Sequence, residues 1–137
     1  MKLSTGLRNY MLSGGSLKAA LASGKLIIYS GAIPATADDA IGSATPLWTV
    51  SGVSFDTAAA NATLLKESGA WTATASAGTG TFFRHTTSAD AGAADATAYR
   101  IQGTFGVAGC DLNRAAGATL TAASVTLDYY AVVFPTL

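Results

Sequence analysis

The sequence predicts an all-β protein: an antiparallel β-sandwich, jelly-roll-like in topology, with a short helical N-terminal arm. Two observations predict this fold. From residue 25 onward, segments rich in threonine, alanine and aromatic residues alternate with turn signals at the spacing typical of sandwiches. No helical pattern separates these segments, whereas an α/β fold needs helices between its strands. No linker divides the chain of 137 residues, so we predict an arm, residues 1–24, and one sandwich domain, residues 25–137.

The arm is predicted to contain two short helices. Thr5 is the expected N-cap of a helix over residues 7–13, and Ser16 is that of a second helix over residues 17–23. Both are shorter than the ~12–15 residues at which an isolated helix becomes marginally stable. The helices therefore need a surface to pack against, which either the same chain or a neighbouring subunit can supply.

The arm also carries the residues that we predict to bind a partner. No acidic residue precedes Asp38, so the arm combines basic side chains with apolar ones. An uneven charge layout of this kind suits contact with an acidic neighbour. We expect the partner to be bound through eight residues of the arm: Lys2, Leu3, Leu7, Arg8, Tyr10, Met11, Leu12 and Lys18.

The sandwich domain is predicted to have about eight strands. One strand begins at Lys25, and a second lies near residues 47–51, with Gly52 as a bend or bulge after it. Residues 62–68 and 70–76 are predicted to pair as a hairpin, because a Ser-Gly turn signal separates them. A further strand is predicted over Gly80 to Thr86, followed by a polar loop.

Alternation assigns faces to the last two predicted strands. Between Tyr99 and Phe105 the apolar residues share one face, and Arg100, Gln102 and Thr104 share the other. In the C-terminal strand the odd-numbered residues are predicted to face inward: Val125, Leu127, Tyr129, Ala131 and Val133. The apolar end of this strand, which includes Val132 and Phe134, is expected to be covered.

Composition favours contact with other proteins. Only 12% of the residues are charged, against roughly 25% in an average globular protein, and a plain alanine-rich surface is the alternative interpretation. Because the net charge is zero, no overall field favours nucleic acid or an anionic membrane, and we predict neither as a partner. No convincing signal peptide or membrane span is present, so we expect the chain to stay in the cytoplasm where it is made.

Few residues indicate chemistry, and we predict neither an enzyme nor a cofactor. His85 is the only histidine; we expect it at the surface or a strand edge, and a hydrolase that uses it is a remote alternative. Aspartates of the loops, such as Asp38 and Asp39, are expected to bond to their own backbone rather than to a metal ion. Cys110, the only cysteine, is expected to be a buried, inert thiol. Trp48 and Trp71 are expected in the core, with a sugar-binding face as the alternative.

The N-terminal third of the chain resembles a known group of proteins. The stretch LSTGLRNYMLSGGSLKAAL, followed by LIIYSGAIPATADDAIGS, is similar to the start of a group of small bacteriophage and prophage proteins. The similarity is specific over about Leu3 to Ile41, and beyond these residues it is one of composition only. Members of this group resemble virion structural components, and the resemblance supplies no catalytic residues.

The resemblance implies a capsid cement or decoration protein. Such a protein would lie on the capsid surface of the virion after synthesis in the host cytoplasm. Its partners would be the major capsid protein, whose subunits it bridges without covalent bonds, and further copies of itself. The alternative is a tail or fibre component that binds a host receptor or a glycan, for instance through Trp48 or Trp71.

Overall fold

The structure, a computed structural model, describes residues 1–56 and 60–134. It confirms the predicted fold class, since 40% of the chain is strand and 9% is helix, the sheets are antiparallel and a short helix lies near the N-terminus. The jelly-roll topology stays a prediction. The helices are α1 (Thr5–Leu12) and α2 (Leu17–Ala20), and the strands of the described residues are β1 (Lys2–Leu3), β2 (Gly24–Ser30), β3 (Thr45–Val53), β4 (Thr63–Leu65), β5 (Trp71–Thr74), β6 (Gly78–Thr79), β7 (Phe82–Thr86), β8 (Arg100–Gly106), β9 (Leu112–Asn113), β10 (Thr119–Leu120), β11 (Ser124–Leu127) and β12 (Ala131–Val133).

The first layer is a sheet with the strand order β1-β8-β7-β2-β3, to which β9 adds in parallel beside β8. We call it the main sheet. The bulge predicted at Gly52 is confirmed: Gly24 pairs with Val53 and Lys25 with Ser51, so Gly52 has no partner and adopts a φ of 73°. Glycine suits this position because a side chain disfavours positive φ.

The second layer is a long two-stranded ribbon, in which residues 62–80 run antiparallel to residues 118–134. It consists of three short ladders, β6–β10, β5–β11 and β4–β12. The predicted hairpin of residues 62–68 with residues 70–76 is therefore wrong. Both segments run in the same direction along the ribbon, because residues 66–70 form an irregular excursion opposite residues 128–130 instead of reversing the chain.

Because of the same irregularity, the prediction that the odd-numbered residues of the C-terminal strand face inward is wrong at its end. Tyr130 and Val132 are buried, whereas Tyr129 is 65% exposed and Val133 is 52% exposed. Residues 128–130 leave the ladder between β11 and β12, which shifts the alternation by one residue. After this break the odd-numbered residues Tyr129, Ala131 and Val133 no longer face the core.

The arm packs against its own chain. Leu7 and Leu21 are completely buried and belong to the core that the main sheet and the ribbon share. β1 pairs with β8 at the edge of the main sheet. Glycine is required at position 6, because a Cβ atom there would lie 2.2 Å from the carbonyl oxygen of Thr97. The arm thus completes the second layer beside the ribbon.

The helix caps agree with the prediction in one case of two. Ser16 caps α2 as predicted, accepting a hydrogen bond from the Ala19 N–H, although α2 ends at Ala20. Ser4, not Thr5, caps α1, because its hydroxyl accepts from the Leu7 N–H. Thr5 is the first residue of the helix, and its N–H and hydroxyl both donate to the Asp38 carboxylate.

Candidate interaction surfaces

The residues predicted to bind a partner do not form one continuous exposed surface. Leu7 lies in the chain's own core, so its side chain is unavailable to a partner in this conformation. Leu3, Tyr10 and Met11 are partly buried against the same core, and Lys18 is half-buried. Three of the eight residues are exposed: Lys2, Arg8 and Leu12.

Leu12 is the most exposed of the arm's large apolar residues. It lies at the end of α1 and is 87% exposed. Arg8 stands one helical turn before it, and its guanidinium donates to the Thr5 hydroxyl, 3.0 Å away. The ammonium group of Lys2 donates to the carbonyl of Ala35. The arm therefore offers a small basic and apolar surface to solvent, while its other apolar side chains stabilise the fold.

A larger apolar surface lies on the ribbon, at the end formed by β4 and β12. Four apolar side chains are exposed there, which we call the ribbon patch: Leu65, Tyr129, Val133 and Phe134. Leu65 pairs with Ala131, and Val133 is two residues further along β12, so both side chains lie on the outer face. Phe134 follows Val133, and its N–H donates to the carbonyl of Ala62 at 3.0 Å.

Sequence reasoning missed the ribbon patch, although a signal was present. The run Val132-Val133-Phe134 has no alternation and places apolar side chains on both faces of the strand. We expected this end of the strand to be covered, and in the described chain Val132 is covered whereas Val133 and Phe134 are not.

A cleft of about 410 Å³ opens between the main sheet and the free side of β11. Its floor is apolar and includes Ile28, Trp48 and Phe105. Two polar side chains at its rim have partners: Asp111 accepts from the Met1 amino group at 2.7 Å, and Arg114 donates to the carbonyl of Gly117 at 2.8 Å. The hydroxyl of Tyr130, which also lines the cleft, has no hydrogen-bond partner among the described residues. A small ligand is usually oriented by several convergent polar groups.

The prediction that His85 lies at the surface or a strand edge is wrong. This residue is completely buried on β7, with its ring centroid 5.1 Å from that of Phe55, 5.6 Å from Tyr130 and 6.1 Å from Trp71. Neither ring nitrogen has a hydrogen-bond partner among the described residues. Burial lowers the pKa of His85 to about 4. A relay with a serine and an aspartate requires hydrogen bonds at both nitrogens, and this imidazole makes neither with the described groups.

The opposite face of the main sheet buries a polar network beneath residues 31–44, the covering loop. Arg100 forms a two-pronged ion pair with Asp90, with Nε–Oδ2 and Nη2–Oδ1 distances of 2.6 and 2.7 Å. Arg84 donates from Nε to Gln102 Oε1 at 2.8 Å and from Nη2 to the carbonyl of Asp39 at 2.8 Å. The polar face that alternation assigned to Arg100 and Gln102 is thus buried.

Two pKa values in this network are shifted by burial and by neighbouring charges. Burial alone would raise the pKa of the Asp90 carboxyl, but hydrogen bonds from Arg100 and Gly92 hold it below its ordinary value. Burial, together with the positive charge of Arg100, lowers the pKa of Arg84. The network carries two guanidinium groups and one buried carboxylate, and Gln102 Oε1 and backbone carbonyls supply further acceptors. Arg84 Nη1 has no hydrogen-bond partner among the described residues.

Two of the other loop aspartates make the predicted local contacts, whereas the prediction is wrong for Asp38, which accepts from the N–H and hydroxyl of Thr5. Asp39 accepts from the N–H and hydroxyl of Thr36, and Asp95 does the same for Thr97, as predicted. These hydrogen bonds lower the pKa values of both carboxyl groups. Within residues 1–56 and 60–134, no group of three or more histidine, cysteine, aspartate or glutamate side chains could hold a metal ion.

The remaining sequence candidates are placed as follows. Trp48 and Trp71 are buried, which confirms their expected core position, and Trp48 Nε1 donates to the carbonyl of Ala73 at 3.1 Å. Cys110 is half-buried rather than buried, with its thiol near the carbonyl of Ala108. Among the described residues, no helix is both long and apolar enough to cross a membrane.

The fold and these surfaces define an all-β sandwich domain with an apolar patch on its second layer. Comparison with protein-family models, with curated proteins and with solved structures gave no match to this chain. The bacteriophage resemblance of residues 3–41 therefore stays a prediction from the sequence.

Proposed function

We propose that this chain is a structural protein of a bacteriophage or prophage particle, of the capsid cement or decoration type. It would stabilise the head by bridging major capsid subunits without covalent bonds. The observation that carries the proposal is the ribbon patch, in which four large apolar side chains are exposed at one end of a single layer. The resemblance of residues 3–41 supplies the viral context.

The chemistry of the ribbon patch suits binding to protein. Its most exposed member, Tyr129, provides a large, stiff contact surface with one polar group, and tyrosine is enriched among the residues that dominate binding energy. Each Å² of apolar surface removed from water contributes roughly 25 cal/mol.

The arm would provide a second contact. Because Leu7, Leu17 and Leu21 are buried in the same chain, binding does not require the arm to fold on assembly. Its exposed residues Arg8 and Leu12 would instead meet an acidic and apolar surface of a neighbouring subunit. The buried positions of Trp48 and Trp71 remove the observation that favoured glycan binding by a tail or fibre component.

Localisation tests the proposal directly. Particles purified from the producing culture should contain the chain, and electron cryomicroscopy should place its density on the outside of the head. Density on the tail would contradict the cement role and favour the tail alternative. Absence of the chain from particles would contradict both.

Two matched variants test which surface binds. The double substitution Tyr129→Ser and Val133→Thr should reduce the number of copies per particle at least about tenfold, because each removed anchor is worth roughly 1–2 kcal/mol. Leu12→Ser, which also replaces an exposed apolar residue, should reduce it less. Copy number is measured by quantitative mass spectrometry, and circular dichroism checks that both variants fold. Unchanged incorporation of the double variant would contradict a role for the ribbon patch.

A further inference from the structure

The seam between the main sheet and the ribbon contains an unusual group of buried polar atoms. The described residues have five buried side-chain nitrogen or oxygen atoms without a hydrogen-bond partner, and four of them belong to adjacent aromatic rings. These four are Trp71 Nε1, Tyr130 Oη and both ring nitrogens of His85. Unpaired buried polar atoms are rare in native proteins, and each calls for an explanation.

The ribbon is least regular directly over His85. Residues 66–70 and 128–130 separate the β4–β12 ladder from the β5–β11 ladder. Within this gap the Lys66 N–H donates to the carbonyl of Tyr130 at 2.9 Å. Tyr130 belongs to the gap and Trp71 borders it, so two of the three rings that cover His85 come from the part of the ribbon where the ladder is interrupted. The third ring is that of Phe55, which is joined to Lys66 by an isolated β-bridge. Regions with an interrupted ladder open locally at lower free energy than regular ladders.

The groups that face His85 would stabilise a protonated imidazole poorly. Its neighbours in the main sheet are Leu26 and Ile101, both buried and apolar. On the ribbon side, the indole N–H of Trp71 is a donor and cannot accept a proton. Tyr130 is the titratable group in ring contact, and burial raises its pKa, so it stays neutral.

The charged groups of the surrounding elements do not stabilise a positive charge on His85 either. The ammonium group of Lys66 lies 5.5 Å from the ring centroid of Trp71 and would repel an imidazolium. The carboxylate of Glu67 accepts from the Ser54 N–H at 3.0 Å, and Asp56, which follows Phe55, is exposed. The cause of the lowered His85 pKa is accordingly burial alone.

We propose that His85 is an acid-sensitive latch, whose protonation releases the irregular part of the ribbon from the main sheet. The closed form excludes the proton, and the open form hydrates the ring and accepts it. Acidification therefore shifts the equilibrium towards the open form. Because the ribbon patch borders the same gap through Leu65 and Tyr129, opening would also disorganise that surface.

The proton linkage sets the size of the effect. The pKa of the closed form is about 4 and that of an exposed histidine is 6.5. Between these values the open form binds the proton and the closed form does not. Lowering the pH from 7 to 5 should then raise the open population by about 20-fold.

Fluorescence of Trp71 tests the latch. In a Trp48→Phe background, Trp71 is the only tryptophan. Its emission should shift to longer wavelength as the pH falls towards 5, while the far-ultraviolet circular dichroism of the whole chain, to which the main sheet contributes the longest strands, stays largely unchanged. Hydrogen exchange of ribbon amides, corrected for intrinsic rates, should show the loss of protection. In the same background, His85→Phe should remove the pH dependence of both signals.

Three results would overturn the proposal. The first is an equal pH response in His85→Phe. The second is a change in Trp71 emission that coincides with global unfolding, which would exclude local release. If His85→Phe does not fold, the imidazole titration of the wild-type chain by nuclear magnetic resonance decides: a midpoint near 6.5 overturns the latch, and a midpoint well below it supports the latch.

Discussion

The two faces of the main sheet bury polar side chains in opposite ways, and neighbouring residues of β7 show the difference. Arg84 and His85 are both completely buried. Arg84 keeps its charge under the covering loop, where it donates to Gln102 and to the carbonyl of Asp39. His85 lies under the ribbon among aromatic rings and makes no hydrogen bond to a described residue.

The backbone that covers each face explains this difference. The N–H and C=O groups of a strand lie in the plane of its ladder, so the ribbon presents mainly side chains to the main sheet. The covering loop has no ladder and turns its carbonyls towards the sheet: those of Ala37, Asp38 and Asp39 accept from Arg100 or Arg84. A buried charge is therefore tolerated where backbone carbonyls point towards it, and a neutral ring is buried where the covering segment presents aromatic side chains.

The largest expected effect is on the loop-covered face. Arg100→Met should lower the free energy of unfolding by about 3–5 kcal/mol, because it leaves the Asp90 carboxylate buried without its partner. Urea unfolding at pH 7 measures the change. Arg8→Met, which replaces an exposed arginine, is the matched control and should change the value by less than about 0.5 kcal/mol. A loss below about 1 kcal/mol for Arg100→Met would show that the ion pair does not hold the loop.

The contributions of the two faces to stability should be lost in different pH ranges, because their titrating groups have different pKa values. The pKa of His85 is about 4 in the folded state and 6.5 when exposed. The unfolded chain therefore binds more protons between these values, and stability should fall by up to about 3 kcal/mol as the pH drops from 6.5 to 4. The pKa of Asp90 is lowered from 3.8 on folding, so its contribution is present above 3.8 and is lost as the pH falls below that value.

Variants assign each acid-sensitive range to one face. The free energy of unfolding is measured from pH 7 to pH 3. In His85→Phe it should no longer depend on pH between 6.5 and 4, but it should still fall at lower pH. Asp90→Asn should show the reverse and be less stable at neutral pH, because Arg100 then lacks a carboxylate. A slope between pH 6.5 and 4 that survives in His85→Phe would contradict the neutral burial of the imidazole.

Local features of this fold could be predicted from the sequence. The exposed Thr72 and Thr74 alternate with Trp71 and the inward-facing Ala73 as expected, because strand periodicity is a property of consecutive residues. The bulge at Gly52 was also predictable, since glycine has a backbone preference that does not depend on distant contacts.

Features that depend on distant segments could not be predicted. The pairing of β4 with β12 joins residues up to 70 positions apart, for example Thr63 and Val133, and neither segment indicates the other. The burial of Gln102 follows from the covering loop and not from the alternation of its own strand. The ribbon patch escaped prediction because residues 128–130 leave the ladder, which shifts the alternation before Ala131.

The smallest effect is expected where the buried charge and its partner are replaced together. Arg84→Met leaves Gln102 Oε1 without its donor, and Gln102→Leu leaves Arg84 Nε without its acceptor, so each single substitution should destabilise the chain by about 1–3 kcal/mol. The double substitution removes both groups and creates an apolar contact. It should cost at least about 1 kcal/mol less than the sum of the singles in urea unfolding.

Additive losses would mean that the covering loop depends on each group separately, through the carbonyls of Asp39 and Pro34 that they bind. Strong coupling would mean that the charge of Arg84 is tolerated under the loop without being required there, as the neutral ring of His85 is tolerated under the ribbon.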